Sequence, residues 1–145
     1  MYSIGQVALE TGVKVPTIRY YEQIGLLPEP HRSAGRQRLY PLRTVERLAF
    51  IRHARQLGFS LPAIRDLLSL SDQPDRPCEA ADAIAVEQLD QVEQRLRQLQ
   101  ALKQELSRMI AQCRGGSISE CRIIEVLSDH SQCAAESHAA PGDRF

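Results

Sequence analysis

The sequence predicts a mainly α fold, and three observations carry the prediction. Residues 79–112 contain neither Gly nor Pro and repeat apolar side chains alternately four and three apart, the rhythm of a helix that packs along another helix. Residues 4–25 hold two short stretches of helical periodicity joined at Thr11-Gly12, a helix-turn-helix signature. Aromatic residues make up 5% of the chain and Trp is absent, against 43% apolar residues, which suits an ordered helical chain with a modest core. A length of 145 residues allows one domain, or one domain with an appendage.

The elements follow in order. Ile4, Val7 and Ala8 recur at helical spacing, and Thr11-Gly12 ends that helix with a residue that tolerates left-handed backbone. A second helix is expected over Val15–Gln23, with Pro16 in its first turn, Ile18 and Tyr21 toward the core, and Gly25 as its stop. Pro28, Pro30 and Gly35 break residues 28–40 into a small β-hairpin, or wing, that carries Arg32, Arg36 and Arg38. A third helix, Leu42–Gln56, ends at Gly58. Ser60 is the N-cap of a fourth, with Pro62 in its first turn and Ile64, Leu67 and Leu68 on its apolar face.

Residues 71–77 form a polar, proline-broken linker. Beyond it, Ala85, Leu89, Val92, Leu96, Leu99, Lys103, Leu106 and Ile110 make a seam of nearly four heptads on a helix over Glu79–Gln112. At 1.5 Å per residue that helix is roughly 51 Å long. It is too long and too narrowly apolar to fold back on so small a domain, so a second copy of the chain is the expected partner. Residues 113–121 interrupt it with Gly115-Gly116, Ile123–Leu127 makes a short apolar helical piece, and the tail from Ser131 is rich in Ala, Ser and Gly. The resulting divisions are 1–76, 77–112, 113–130 and 131–145.

The net charge of zero hides a split. Residues 1–65 carry ten Lys and Arg against four Asp and Glu, and the other 80 residues carry eight against fourteen. A basic half joined to an acidic half fits a nucleic-acid reader with a separate assembly or sensing part. No run of about 18 apolar residues is present, which excludes a membrane-spanning helix. The N-terminus lacks the basic and apolar regions of a secretory signal. A cytoplasmic chain is therefore expected, where thiols stay reduced and four cysteines are ligands or redox groups rather than staples.

Cys78 stands just before the long helix and Cys113 just after it. About 50 Å of helix keeps them from sharing an ion within one chain, since zinc–sulfur bonds are about 2.3 Å. In an antiparallel pair of such helices, Cys78 of one protomer meets Cys113 and Cys121 of the other, giving two equivalent sites. Cys113 also continues the apolar seam and would serve there as a small core residue. Cys121 follows a polar loop where packing has little need of sulfur. Thiolates favour soft or borderline ions such as zinc, cadmium, lead, mercury and copper(I). His130, Cys133 and His138 would supply further ligands if the tail folds back.

The segments Thr17-Ile-Arg-Tyr-Tyr-Glu22, Gly25-Leu-Leu-Pro28, Arg38-Leu-Tyr40 and Leu57-Gly-Phe-Ser60, with Ile64, resemble the MerR family of bacterial transcription regulators over residues 2–127. The cysteines resemble its metal-sensing branch. The resemblance implies a winged helix-turn-helix DNA-binding domain followed by a dimerisation helix in an antiparallel coiled coil. It implies a homodimer on double-stranded promoter DNA whose spacing is too long for RNA polymerase, with activation when the metal-bound form distorts that DNA. Carried over by position, Thr17, Arg19 and Tyr20 lie on the recognition helix, and Lys14 stands at its entry. Tyr21 packs or contacts the backbone, Arg36, Arg38 and Tyr40 are wing contacts, and Arg55 is a phosphate contact. Cys78, Cys113 and Cys121 become metal ligands. Copper(I) sensors of the branch usually carry Ser where this chain has Cys78, so a divalent ion (zinc, cadmium, lead or mercury) is expected. Zinc sensors often have an adjacent cysteine pair and a loop His, whereas Arg114 follows Cys113 here.

Two other readings compete. The same scaffold would report thiol oxidation through Cys113 and Cys121. An enzyme is disfavoured, because no His or acid stands at informative spacing from Cys121 and no phosphate loop or catalytic carboxylate pair appears.

Overall fold

The computed structural model describes residues 1–113 and 115–129. The chain divides into two compact units, Met1–Ala85 and the remainder from Val86. Among the described residues no helix is long and apolar enough to cross a membrane.

The first unit opens with a two-residue strand, β1 (Tyr2–Ser3), which runs into α1 (Ile4–Thr11). Ser3 closes a capping box: its hydroxyl accepts from the Gln6 N–H at 3.2 Å, and the Gln6 amide oxygen accepts from the Ser3 N–H at 2.8 Å. Then come α2 (Val15–Gln23), β2 (His31–Arg32), β3 (Arg38–Tyr40), α3 (Leu42–Gln56) and α4 (Leu61–Ser71). These helices carry the expected bounds. Pro16 and Pro62 sit in first turns, and the Ser60 hydroxyl accepts from the Ala63 N–H at 3.3 Å.

The wing differs from a bare hairpin. It is a three-stranded antiparallel sheet of order β1-β3-β2, with Tyr2 opposite Tyr40 and His31 opposite Leu39. The N-terminal residues supply an outer strand that periodicity does not reveal, because two residues carry no alternation to read. Val7, Ile18, Leu26, Tyr40, Leu48, Ile51 and Ile64 form one core beneath the helices and this sheet.

Arginine side chains fix the turns between these elements. Arg52 donates to the Thr11 carbonyl at 2.5 Å, closing the C-terminal end of α1. Gly12 there has φ +72, and a Cβ built on it would stand 2.2 Å from Arg52 Nη1. Glycine is therefore required twice, for left-handed backbone and for the approach of the guanidinium. Arg65 donates to the Ile24 carbonyl at 2.6 Å, and Arg47 to the Leu26 carbonyl at 3.1 Å, just past α2.

In the second unit, α5 (Glu79–Gln112) continues from its start in the first, followed by a short 3₁₀ turn (Ile118–Glu120) and α6 (Arg122–Ser128). Arg122 ties α6 to the end of α5 through Gln112 Oε1 at 2.7 Å. Met109 and Val126 are buried in this unit, and Glu105, also buried, pairs with Arg108 at 2.8 Å. The seam of Leu89, Val92, Leu96, Leu99, Leu106 and Ile110 is exposed along its length, Leu96 by 61%.

Two glycine substitutions should move stability in opposite directions. Gly12→Ala is expected to lower the unfolding free energy by about 2 kcal/mol, through left-handed strain and displacement of Arg52. Gly5→Ala lies inside α1, where its Cβ would meet only Ser3 Oγ at 4.0 Å, and should add about 0.5–1 kcal/mol. Urea titration of both variants checks the pair of signs.

Candidate functional site

Two groups of residues carry the chemistry expected from the sequence, one in each unit. In the first unit, α2 and the wing flank an open cleft of about 470 Å³, lined by Arg19, Arg32 and Arg38 together with Glu22, Gln23 and Glu29. Arg19 is exposed on α2 and Lys14 at its N-cap, Thr17 is half-buried, and Tyr20 is 49% exposed. Arg36 projects from the wing turn with φ +62. The Arg36 N–H donates to the Ser33 carbonyl and the Ser33 N–H to the Gln37 carbonyl, each at 2.9 Å, so the turn is closed by its own backbone. Three guanidinium groups converging on one cleft beside an exposed helix suit the backbone of a polyanion.

Tyr40, expected as a wing contact, is turned inward, and Tyr21, expected to pack or to contact the backbone, packs. Tyr21 is 8% exposed and Tyr40 is fully buried, so both rings belong to the core rather than to a DNA-facing surface. The cause is strand and helix geometry: Tyr40 lies opposite Tyr2 in the sheet, and Tyr21 follows Ile18 on the inner face of α2. Arg55 is exposed, and its guanidinium donates to the Phe59 carbonyl at 2.9 Å, which anchors it at the end of α3.

A polar group that sequence reasoning missed lies between α2 and β3. Tyr40 donates a hydrogen bond to Glu22 Oε1, and Arg38 Nε stands 3.5 Å from Glu22 Oε2. Arg38 Nε is buried and has no hydrogen-bond partner, so its contact with Glu22 is an ion pair without hydrogen-bond geometry. Burial, then the hydrogen bond to Glu22 and its charge, hold the Tyr40 phenol well above its ordinary ionisation range. The available signal was the one acid of α2, three residues after Arg19.

The second group is the thiols. Cys78, exposed, immediately precedes α5. Cys113 follows α5 and Cys121 is the N-cap of α6, and both are half-buried free thiols. The backbone N–H groups of Ile124 and Ile123, with a hydrogen bond from the Cys113 side chain, lower the Cys121 pKa below its ordinary value. The fold thus brings Cys113 and Cys121 together. Among the described residues of one chain, no three His, Cys, Asp or Glu side chains form a metal-holding group. His130, Cys133 and His138 lie outside the described residues.

Comparison with known proteins gives the family. Residues 2–71 match the family described as MerR HTH family regulatory protein, and residues 45–109 match the one described as MerR, DNA binding. The HTH-type transcriptional regulator ZntR of Escherichia coli (strain K12) is 42% identical over 130 residues, covering 88% of this chain and 92% of its own. Among solved structures, the lead(II) complex of the transcription regulator PbrR691 from Ralstonia metallidurans CH34 matches with TM-score 0.75 and 38% identity, over 88% of this chain and 99% of that one. The mercury(II) complex of the dual function transcriptional regulator MerR from Bacillus megaterium MB1 matches with TM-score 0.64 and 29% identity, over 88% and 99%.

The Tyr40–Glu22 contact predicts an alkaline signature. An unfolded phenol ionises near pH 10, and the folded Tyr40 does so higher. The native state then keeps a proton that the unfolded chain releases, so stability is full below about pH 10 and falls as the pH rises above it. Tyr40→Phe should cost about 1 kcal/mol at neutral pH through the lost hydrogen bond, and should flatten the alkaline decline. Urea midpoints measured from pH 7 to about pH 11.5 check this; an unchanged alkaline slope would contradict the burial of that hydroxyl.

Proposed function

The chain belongs to the MerR family as a metal-responsive, DNA-binding transcription regulator rather than an enzyme, and on that premise we propose that it is a homodimeric activator answering to a soft divalent ion. The carrying observation is the thiol pair, Cys113 and Cys121, set together at the start of α6 while Cys78 stands at the start of α5. Each site takes Cys78 from one protomer and Cys113 with Cys121 from its partner. Three thiolates suit a soft ion of the zinc, cadmium, lead or mercury type. Zinc prefers four ligands, so it would need a donor beyond these three.

The exposed seam of α5 supports the dimer, and its charges support the antiparallel direction. Residues 79–94 carry five acids and no base, and residues 95–112 carry four bases and one acid. Antiparallel pairing lays the acidic half of one helix beside the basic half of the other, and parallel pairing would set like against like. A bound ion supplies positive charge that bridges thiolates of the two protomers. Arg19, with Lys14, Thr17 and Tyr20, reads the promoter from α2, and Arg36, Arg38 and Arg55 engage phosphates. Distortion of that promoter brings its two elements into register for RNA polymerase.

Two experiments test this reading. Arg19→Ala should lose roughly 1–3 kcal/mol of discrimination between a preferred duplex and random DNA, measured by fluorescence anisotropy at fixed salt. For the metal, a heterodimer is purified by two tags from wild type and a chain bearing Cys78→Ser, Cys113→Ser and Cys121→Ser. Shared ligands leave neither site complete, so the heterodimer should bind no divalent ion with wild-type affinity. One tight site per heterodimer would mean that each ligand set comes from a single chain.

A further inference from the structure

We infer that Glu22 is a positioning residue for DNA binding, the group that locks the recognition helix and the wing into one reading surface. The inference rests on the DNA-binding reading of α2 and goes beyond it to a residue that bears the wrong charge for the task. Glu22 lines the same cleft as Arg19, Arg32 and Arg38. A carboxylate among phosphate-binding arginines repels the polyanion they are there to meet. Its side chain is nevertheless 10% exposed, turned away from solvent and committed at both oxygens.

Those commitments define its role. Oε1 accepts from Tyr40 and Oε2 faces Arg38. Residues 38 and 40 lie two apart on β3, hence on one face of the strand. One carboxylate therefore grips β3 at two points from the last turn of α2. Arg38 is the residue opposite Arg32 in the sheet, so the grip reaches the outer strand as well. Arg19 stands one helical turn before Glu22. Arg38 Nε has no other partner, so without Glu22 nothing in the first unit fixes its direction. The arrangement sets where Arg38 and the wing stand relative to Arg19, and a helix and a wing engage DNA together only when that relation is held.

The test turns on a sign. The probe is a duplex selected from a random pool by the wild-type protein, and its tight binding by wild type is the control for the DNA-binding reading itself. Removing a carboxylate from a surface that only attracts phosphate would tighten binding. The positioning role predicts the opposite: Glu22→Ala should bind the selected duplex about tenfold more weakly at fixed salt. The loss should shrink when Arg38→Ala is already present, because both substitutions release the same contact. Random DNA should be affected much less, a difference that a general loss of stability would not produce. Glu22→Gln keeps an acceptor for Tyr40 and loses the charge on Arg38, so it should fold as wild type and fall between the two in affinity. If Glu22→Ala fails to fold, the Gln variant carries the test. Binding by that variant equal to or tighter than wild type overturns the inference; failure of wild type itself to select a duplex overturns the function.

Discussion

The DNA-facing unit depends on arginines that close its turns. Helices of eight to fifteen residues leave their last carbonyls without intrahelical partners, and a core of this size cannot hide them. Arg52 reaches the end of α1, Arg65 and Arg47 reach the carbonyls just past α2, and Arg55 reaches the carbonyl of Phe59 beyond α3. Each brings a cation to the negative end of a helix or of the turn that follows it. The angle between α1 and α2 is thus held by a side chain from α3, across a glycine that leaves room for it. The recognition helix is oriented by residues that lie well outside it in sequence.

This changes the meaning of the basic N-terminal half. Its excess of ten cations over four acids resembles a nucleic-acid footprint, yet Arg47, Arg52, Arg55 and Arg65 hold main-chain carbonyls, and Arg47 also pairs with Asp72 at 3.3 Å. The cations at the cleft are fewer: Arg19, Arg32 and Arg38. Arg32 further braces the wing by donating to the Arg36 carbonyl at 3.1 Å. Net charge counts structural and functional arginines alike, and their separation requires coordinates.

The elements legible in the sequence were those announced by local chemistry. Gly12, Gly58, Pro16, Pro62 and Ser60 mark helix ends through backbone rules that hold whatever lies nearby. The long helix followed from a seam of nearly four heptads and from the absence of breakers, and its bounds agree with the structure. What stayed hidden was non-local. The pairing of Tyr2 with Tyr40 joins residues far apart in the chain, and the arginine caps join separate helices. Tyr40 read as a wing contact because the sequence shows an aromatic beside arginines, whereas the strand alternation turns it inward to Glu22. Cys113 and Cys121 bracket a glycine turn in the sequence and lie together in the fold, while the support of Cys121 by the N–H groups of α6 was not legible.

That support bears on how the sensing end would work on the proposed reading. The Cys121 pKa is lowered by the N–H groups at the start of α6 and by the neighbouring Cys113 thiol, which donate to its sulfur, with no lysine or arginine among the causes. On the proposed reading, a soft divalent cation would replace the thiol protons of Cys113 and Cys121 and add bonds that protons do not make. On the same reading the third thiolate is that of Cys78, which stands between the α4 end and the first turn of α5. With Cys78 as a ligand, completion of the coordination set would constrain its junction with the DNA-reading unit directly. The chemical event and the reading surface would then be coupled by one short stretch of chain, residues 72–78, in which Asp72 pairs with Arg47 of the first unit.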